Sequence, residues 1–367
     1  MLTSPWIKRK RSYGVVRVHT EEGRIGLGEP YCAVNMPLAC REAIEVLKPQ
    51  IVGQSAEDYL TLMQRLHWIC EYFDHRGMIF CLLGAVDWAL HDLAAQRARL
   101  PLHRMLNPDS ADSVELYAST CSTFMTVPEA IEEFYRCQSL GFRTGKIRVG
   151  CAQQTVEEAI DRACAILREA PAGMRFGVDA GQQIFHEPRC WPLEHAQRLV
   201  AALAPFDIRF LEDPLVINDL EGYQALCRME QVPIAGGEMF HDVETFQRYF
   251  EAGALHVGQP DACVVAGPQR CLQIGEIAAR HDIPLVMHGW AGPVAQMQNI
   301  HAALAIENCD LVERTTYHHP LLEETIGALL KLDNGRMQAP SQPGMGVSLS
   351  DDILCKYAFE GLSAIIA

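Results

Sequence analysis

No uninterrupted apolar run in this chain reaches the roughly 18 residues that a membrane-spanning helix needs. Positive charge is also scarce: 31 Lys and Arg face 46 Asp and Glu, for a net charge of −15. That balance argues against nucleic acid or an anionic membrane surface as a partner. It leaves an anionic substrate open, because a bound divalent cation resets the local field. There is no Gly-x-Ser-x-Gly elbow to hold a nucleophilic serine. Gly23-x-x-Gly26-x-Gly28 is not the dinucleotide fingerprint in order, and it sits in a hairpin rather than a strand-to-helix turn. The basic start, Lys8-Arg9-Lys10-Arg11, leads into no apolar signal core. The 14 cysteines include no Cys-x-x-Cys pair, and most fall inside apolar stretches, as Cys81, Cys121, Cys164 and Cys263 do. They read as small hydrophobes, not as a disulfide framework. A cytoplasmic protein is expected.

What is present is an ordinary globular composition, 49% hydrophobic and 21% charged, over 367 residues. That length accommodates a barrel and a smaller companion domain. Residues 13–31 alternate and turn like a hairpin, and helix-period apolar positions run through 37–49, 55–72 and 78–98. From Val114 the pattern changes to strand, helix, strand, helix. Strands are expected at 114–120, 143–149, 175–181, 208–214, 233–238, 255–262, 284–289 and 310–315. Eight strands with seven intervening helices predict an α/β fold, a (β/α)7β TIM-type barrel with right-handed crossovers. The expected division is an α+β capping domain at 1–112, the barrel at 113–335, and a C-terminal segment at 336–367 that returns to the capping domain. That tail is Pro/Gly-rich from Pro340 to Gly346 and reads as a short helix from Asp351 to Phe359.

Six of these strands end in polar residues: Asp179, Glu212, Glu238, Asp261, His288 and Glu313. They are spaced by roughly 33, 26, 23, 27 and 25 residues, about one strand–helix unit each. A barrel gathers its strand ends at one mouth, where catalytic groups sit. Asp179, Glu212 and Glu238 on consecutive strands suit a hard, oxygen-loving cation, Mg²⁺ rather than Zn²⁺. Any one of them alone could merely cap the next helix. Asp261 and His288 on neighbouring strands form a dyad in which the carboxylate fixes the tautomer and raises the basicity of the far nitrogen. Glu313, across the mouth, could donate to a developing oxyanion if protonated. Lys146 and Arg148 share one face of the second strand and are expected to face substrate.

These residues resemble the enolase superfamily and, within it, the mandelate racemase subgroup. Gly84-Ala85-Val86-Asp87-Trp88-Ala89-Leu90-His91-Asp92-Leu93 resembles the family's capping-domain helix signature, and Gln342-Pro343-Gly344-Met345-Gly346-Val347 its closing segment. The resemblance implies Mg²⁺ on the three acidic residues and a base that removes the proton α to a substrate carboxylate. It also points to the 24–35 and 70–78 loops as readers of the substrate's far end; a homo-oligomer is expected as well. Three departures stand out. Arg148 occupies the place of the family's second lysine, and a guanidinium that stays protonated is a poor base. Gly181 replaces a common Asn, or a His acid of some dehydratases. Tyr13 arrives where the first capping strand should already have run.

One competent base suffices for dehydration of an acid sugar to a 2-keto-3-deoxy acid, which is the leading expectation. Racemisation or epimerisation needs donors on both faces of the substrate, and only Lys146 could stand opposite His288. A non-catalytic relative would have to keep a metal triad and a dyad for no chemistry. His318, His319 and Tyr317, just after the last strand, either touch substrate or lie in a solvated loop. Arg314 is expected to point away, into the surrounding helices.

Overall fold

The computed structural model describes residues 12–73, 76–150, 155–184 and 190–358. The basic start from Lys8 to Arg11, Cys151, positions 74–75 of the 70–78 loop and Phe359 of the expected last helix lie outside the described residues. The capping domain opens on strands β1 (Val16–His19) and β2 (Ile25–Gly28), paired antiparallel. Helices α1 (Pro37–Ile51), α2 (Tyr59–Tyr72) and α3 (Met78–Ala98) follow, with a short α4 (Leu102–Leu106) that periodicity did not mark.

Contrary to the expectation of no such segment, α3 is long and apolar enough to cross a membrane; within this fold 89% of that stretch is buried. Its few polar side chains explain why. Asp92 Oδ2 accepts from the Leu27 amide at 3.0 Å and its Oδ1 from the Met345 amide at 2.8 Å. Trp88 Nε1 donates to the Ala262 carbonyl at 2.9 Å. The hairpin, the tail and the barrel therefore all fasten to one helix. A helix apolar all round is what such a three-sided burial requires.

The barrel strands are β3 (Ser113–Ser119), β4 (Thr144–Arg148), β5 (Arg175–Asp179), β6 (Ile208–Glu212), β7 (Ile234–Gly236), β8 (Val257–Gly258), β9 (Leu285–Met287) and β10 (Cys309–Thr315). Neighbours pair parallel in chain order, and β10 pairs with β3 to close the ring. All eight expected strands are present. Most are shorter than expected, because ladder pairing ends at or before the polar residues of the mouth. Between them run α5 (Val127–Ser139), α6 (Val156–Glu169), α7 (Leu193–Leu203), α8 (Leu220–Cys227), α9 (Val243–Glu251), α10 (Pro268–Arg280) and α11 (Pro293–Ala305). Helices α5 and α6 each start on a reciprocal capping box, Thr126 with Glu129 and Thr155 with Glu158. Inside the ring, Tyr117, Phe210, Ala235, Val257, Val286 and Leu311 pack into one layer that floors the mouth.

After α12 (Pro320–Ile326), the chain adds β11 (Arg336–Gln338) antiparallel to the start of β3. Three residues without alternation carry no strand signal, so β11 is a product of tertiary pairing. The tail then bridges to Pro101 at Gly344, and α13 (Asp351–Lys356) places Asp351 2.8 Å from Arg17 of β1. Every described cysteine except Cys190 and Cys355 is buried, and none is in a disulfide.

Candidate active site

The strand register brings the mouth residues together two by two. Arg148 lies opposite Asp179, and Asp179 opposite Glu212. Glu238 follows β7 through Gly237, whose φ of +109° and 2.7 Å approach of an added Cβ to the Phe246 ring admit only glycine. Asp261 comes three residues after the end of β8, His288 follows β9 directly, and Glu313 is carried within β10.

His288 Nδ1 sits 2.7 Å from Asp261 Oδ2. Asp261 Oδ1 is in turn held by the Cys263 amide at 2.8 Å and by Asn299 Nδ2 at 3.1 Å. Those donors leave Asp261 one geometry, and Asp261 leaves the imidazole one tautomer. The far nitrogen, Nε2, opens toward Glu238 Oε2 at 3.2 Å and Glu313 Oε2 at 3.7 Å. Burial alone would discharge the ring, but Glu238, Glu313 and Asp261 outweigh it and push His288 up to about 10.

Lys146 is fully buried over the Tyr117 ring, with Nζ 2.7 Å from Glu212, 2.8 Å from Glu313 and 3.7 Å from Asp179. Burial disfavours its charge, yet Glu212 and Glu313 outweigh that and keep it an ammonium well above the usual range. Arg148 reaches Asp179 at 2.5 Å, Ser119 Oγ at 3.2 Å and Glu313 at 3.5 Å, with its guanidinium 4.7 Å from the Trp290 ring. Both cations thus face the carboxylates.

Glu313 departs from expectation. Burial would raise it, but Lys146, His288 and Arg148 hold it well below the carboxylate range, so it is an ion and not a proton donor here. Its Oε2 accepts from the Gly289 amide at 3.1 Å and thereby steadies the turn after His288. Glu212 is raised to about 7, because burial and the charges of Asp179, Glu313 and Glu238 together outweigh Lys146.

Among the described residues, one group of three candidate ligands has atoms within 4.8 Å of one another: Glu212, Asp213 and Glu238. Asp179 was expected in place of Asp213. It stands beside Glu212, with Oδ2 drawn to Arg148 and Oδ1 buried without a partner. Asp213 has φ +45°, which turns it out of strand alternation toward Glu238. Burial, then Glu238 and Glu212, push it well above the carboxylate range, which favours its neutral form beside them. An orphaned oxygen on Asp179 beside the Glu212 and Glu238 carboxylates is a donor set that fits a hard divalent cation.

Residues 3–107 match the family described as the mandelate racemase / muconate lactonizing enzyme N-terminal domain, and residues 129–353 match the enolase C-terminal domain-like family. This chain belongs to the enolase superfamily. This superfamily member is 27% identical to the 3,6-anhydro-alpha-L-galactonate cycloisomerase of Streptomyces coelicolor, over 94% of this chain and 90% of that protein. It is likewise 27% identical to the D-galactonate dehydratase of Ralstonia nicotianae, over 92% and 89%. Among solved structures, a racemase from Streptomyces coelicolor with bound magnesium superposes with a TM-score of 0.78 at 26% identity, covering 93% of this chain and 90% of that one.

Several residues of this superfamily member's mouth carried too little signal to be singled out. Gln259 Nε2 donates to Glu212 Oε2 at 2.7 Å, and Gln183 Nε2 to Glu238 Oε1 at 2.7 Å. Gln259 adjoins the Gly258–Asp261 turn, a position that could have flagged it; nothing in the sequence marks Gln183 or Trp290. Gly181 has φ +58°, so a side chain at this position would need a left-handed backbone. Tyr31, in the expected 24–35 loop, holds its ring 5.9 Å from that of His288. Tyr317 packs edge-on against Trp290 at 5.8 Å, whereas His318 is solvent-exposed beside Glu323. Arg314 points away as expected, donating to the Leu330 carbonyl at 2.8 Å.

Proposed function

We propose that this protein is a Mg²⁺-dependent lyase that dehydrates an acid sugar, with His288 as its single base. The observation that carries the reading is the asymmetry of the mouth. An imidazole braced by Asp261 at 2.7 Å presents Nε2 toward Glu238 and Glu313. Lys146, the lysine among the described residues at this mouth, is pinned between Glu212 and Glu313 with no exposed surface. Dehydratase and cycloisomerase relatives at 27% identity support an acid sugar as the substrate class.

Asp179, Glu212 and Glu238 would hold the cation, with Asp213 neutral beside them. When bound, Mg²⁺ supplies positive charge against the substrate carboxylate as the α-carbon loses its proton. Arg148, fixed by Asp179 and stacked on Trp290, adds a fork of donors for the same carboxylate. His288 Nε2 takes the α-proton. The resulting imidazolium, stabilised by Asp261, returns that proton to the β-oxygen on the same face. The C–O bond breaks, water leaves, and the enol tautomerises to a 2-keto-3-deoxy acid. A ring ether oxygen at the β-position would leave by the same two transfers and yield an isomer instead.

The test is incubation of the full chain with Mg²⁺ and a panel of aldonic, aldaric and anhydro-aldonic acids in D₂O. A 2-keto acid should form, and its mass decides between lost water and ring opening. Interconversion of two epimers faster than any 2-keto acid appears would overturn the single-base reading.

A further inference from the structure

Arg162, in the helix that follows β4, is a buried arginine whose guanidinium reaches four acceptors on two segments of the mouth. Its Nε donates to the Arg148 carbonyl at 3.2 Å. Nη1 donates to the Met125 carbonyl at 2.6 Å, and Nη2 to the Ser122 carbonyl at 3.0 Å and to Cys121 Sγ at 3.4 Å. Three of these acceptors are main-chain carbonyls and the fourth is a thiol. The contacts therefore hold backbone in place and are not ion pairs.

The same two segments set the position of the Arg148 side chain. The β3–β4 ladder pairs Ala118 with Gly145 and Ser119 with Lys146, and so ends two residues short of Arg148. Past that point Arg162 spans the seam, from the Arg148 carbonyl on one side to the 121–125 turn on the other. Ser119, whose Oγ accepts from the Arg148 guanidinium at 3.2 Å, closes β3 two residues before Cys121. Cys121 itself has φ +59°. A residue with a side chain keeps that left-handed backbone only where its surroundings over-determine it. The Arg162 bonds to Cys121, Ser122 and Met125 are such a constraint.

We propose that Arg162 is a positioning residue for Arg148. It fixes the end of β4 against the 121–125 turn and so holds the Arg148 guanidinium among Asp179, Ser119 and Trp290. Arginine is required here for its shape. A planar fork with donors on three nitrogens meets acceptors on separate segments at once, whereas lysine brings its donors from a single nitrogen. That Arg148 in turn grips a substrate carboxylate rests on the reaction proposed above. Its placement by Arg162 does not.

The first measurement needs neither metal nor substrate. Arg148 Nε is buried, and the guanidinium carbon lies 4.7 Å from the centre of the Trp290 ring, whose current shifts the Nε–H resonance. In the full-length protein labelled with ¹⁵N-arginine, that resonance is assigned by its loss in Arg148→Lys. Trp290→Leu then gives its position without the ring. We expect Arg162→Lys to move the resonance toward the Trp290→Leu position, with Arg162→Gln as the second variant should the lysine variant fail to fold. An unmoved resonance in a folded Arg162 variant overturns the proposal. The second measurement is calorimetric binding of tartrate, a small hydroxy acid, in the presence of Mg²⁺. Arg162→Lys and Arg148→Lys should each weaken it about tenfold, and the double variant should lose no more than Arg148→Lys alone. Additive losses would mean that Arg162 acts by another route, and would equally overturn the proposal. A moved resonance with tartrate binding unchanged in Arg148→Lys would leave the placement standing and refute the role given to Arg148 in the reaction.

Discussion

His288 illustrates how one side chain is tuned by its neighbours. The three carboxylates around it push it up to about 10, so without a cation the ring is an imidazolium and cannot accept a proton. Activity should therefore rise with pH along a limb set by loss of that proton. Cation bound at Glu238 cancels one of the charges responsible, and the limb should move to lower pH as Mg²⁺ is raised from limiting to saturating. Rate–pH profiles at two Mg²⁺ concentrations check this; coincident profiles would count against the proposed roles of both residues. His288→Asn should lower α-proton exchange by about 10²–10⁴-fold without weakening Mg²⁺ binding. Glu238→Gln should instead weaken Mg²⁺ itself, as calorimetry would show. Under the proposed single-base reading, Arg148 bears on the stereochemical outcome. With no titratable amine in its place, unreacted substrate recovered from D₂O should carry no inverted centre, and Arg148→Lys is the variant in which inversion should begin.

At the scale of elements, α11 depends on a residue from the other domain. Glu29, just after β2 and fully buried, accepts from the Gly292 amide at 2.6 Å and the Ala295 amide at 3.0 Å. It thus caps the helix that follows the His288 turn, where orphan amides favour an anion. Burial nevertheless raises Glu29 to about 7, against the pull of those amides. Glu29→Ala would leave both amides unpaired and should cost about 1–3 kcal/mol by urea denaturation. It should also slow α-proton exchange by loosening the turn that carries the base. A stability loss with unchanged exchange would separate the cap from the site. Helix α3 plays the corresponding part for the tail, because Asp92 holds β2 and Met345 at once.

For the whole molecule, the surroundings of His301 predict a loss of stability in acid. It lies on α11 with Nδ1 accepting from the His103 amide at 3.1 Å and Nε2 donating to the Met345 carbonyl at 3.1 Å. Burial lowers it to about 3, from 6.5 in the free side chain. The unfolded chain therefore binds a proton that the folded chain refuses. Its contribution to stability is whole above pH 6.5 and is lost progressively as pH falls toward about 3. Urea midpoints across that window should decline, and His301→Gln should flatten the decline whatever it does to stability at neutral pH. A wild-type slope retained in His301→Gln would assign the lability to other groups.

The alternation of strands and helices, and the spacing of the six polar strand ends, were enough to read the barrel, the gathering of acidic residues at its mouth and the Asp261–His288 pair. Those features are local: a strand's period, a turn, and a residue type where pairing stops. Four further features were decided only by distance in space. Glu313 reads as a potential acid in the sequence, but its charge is fixed by Lys146, His288 and Arg148 from two other strands. Asp213 enters the carboxylate group through a left-handed backbone at the end of β6, which residue type does not announce. Strand β11 exists because the tail returns along β3, and α3 passes for a membrane span until three neighbours cover it. Charge state and pairing of this kind depend on groups far apart in the chain, so only the tertiary structure determines them.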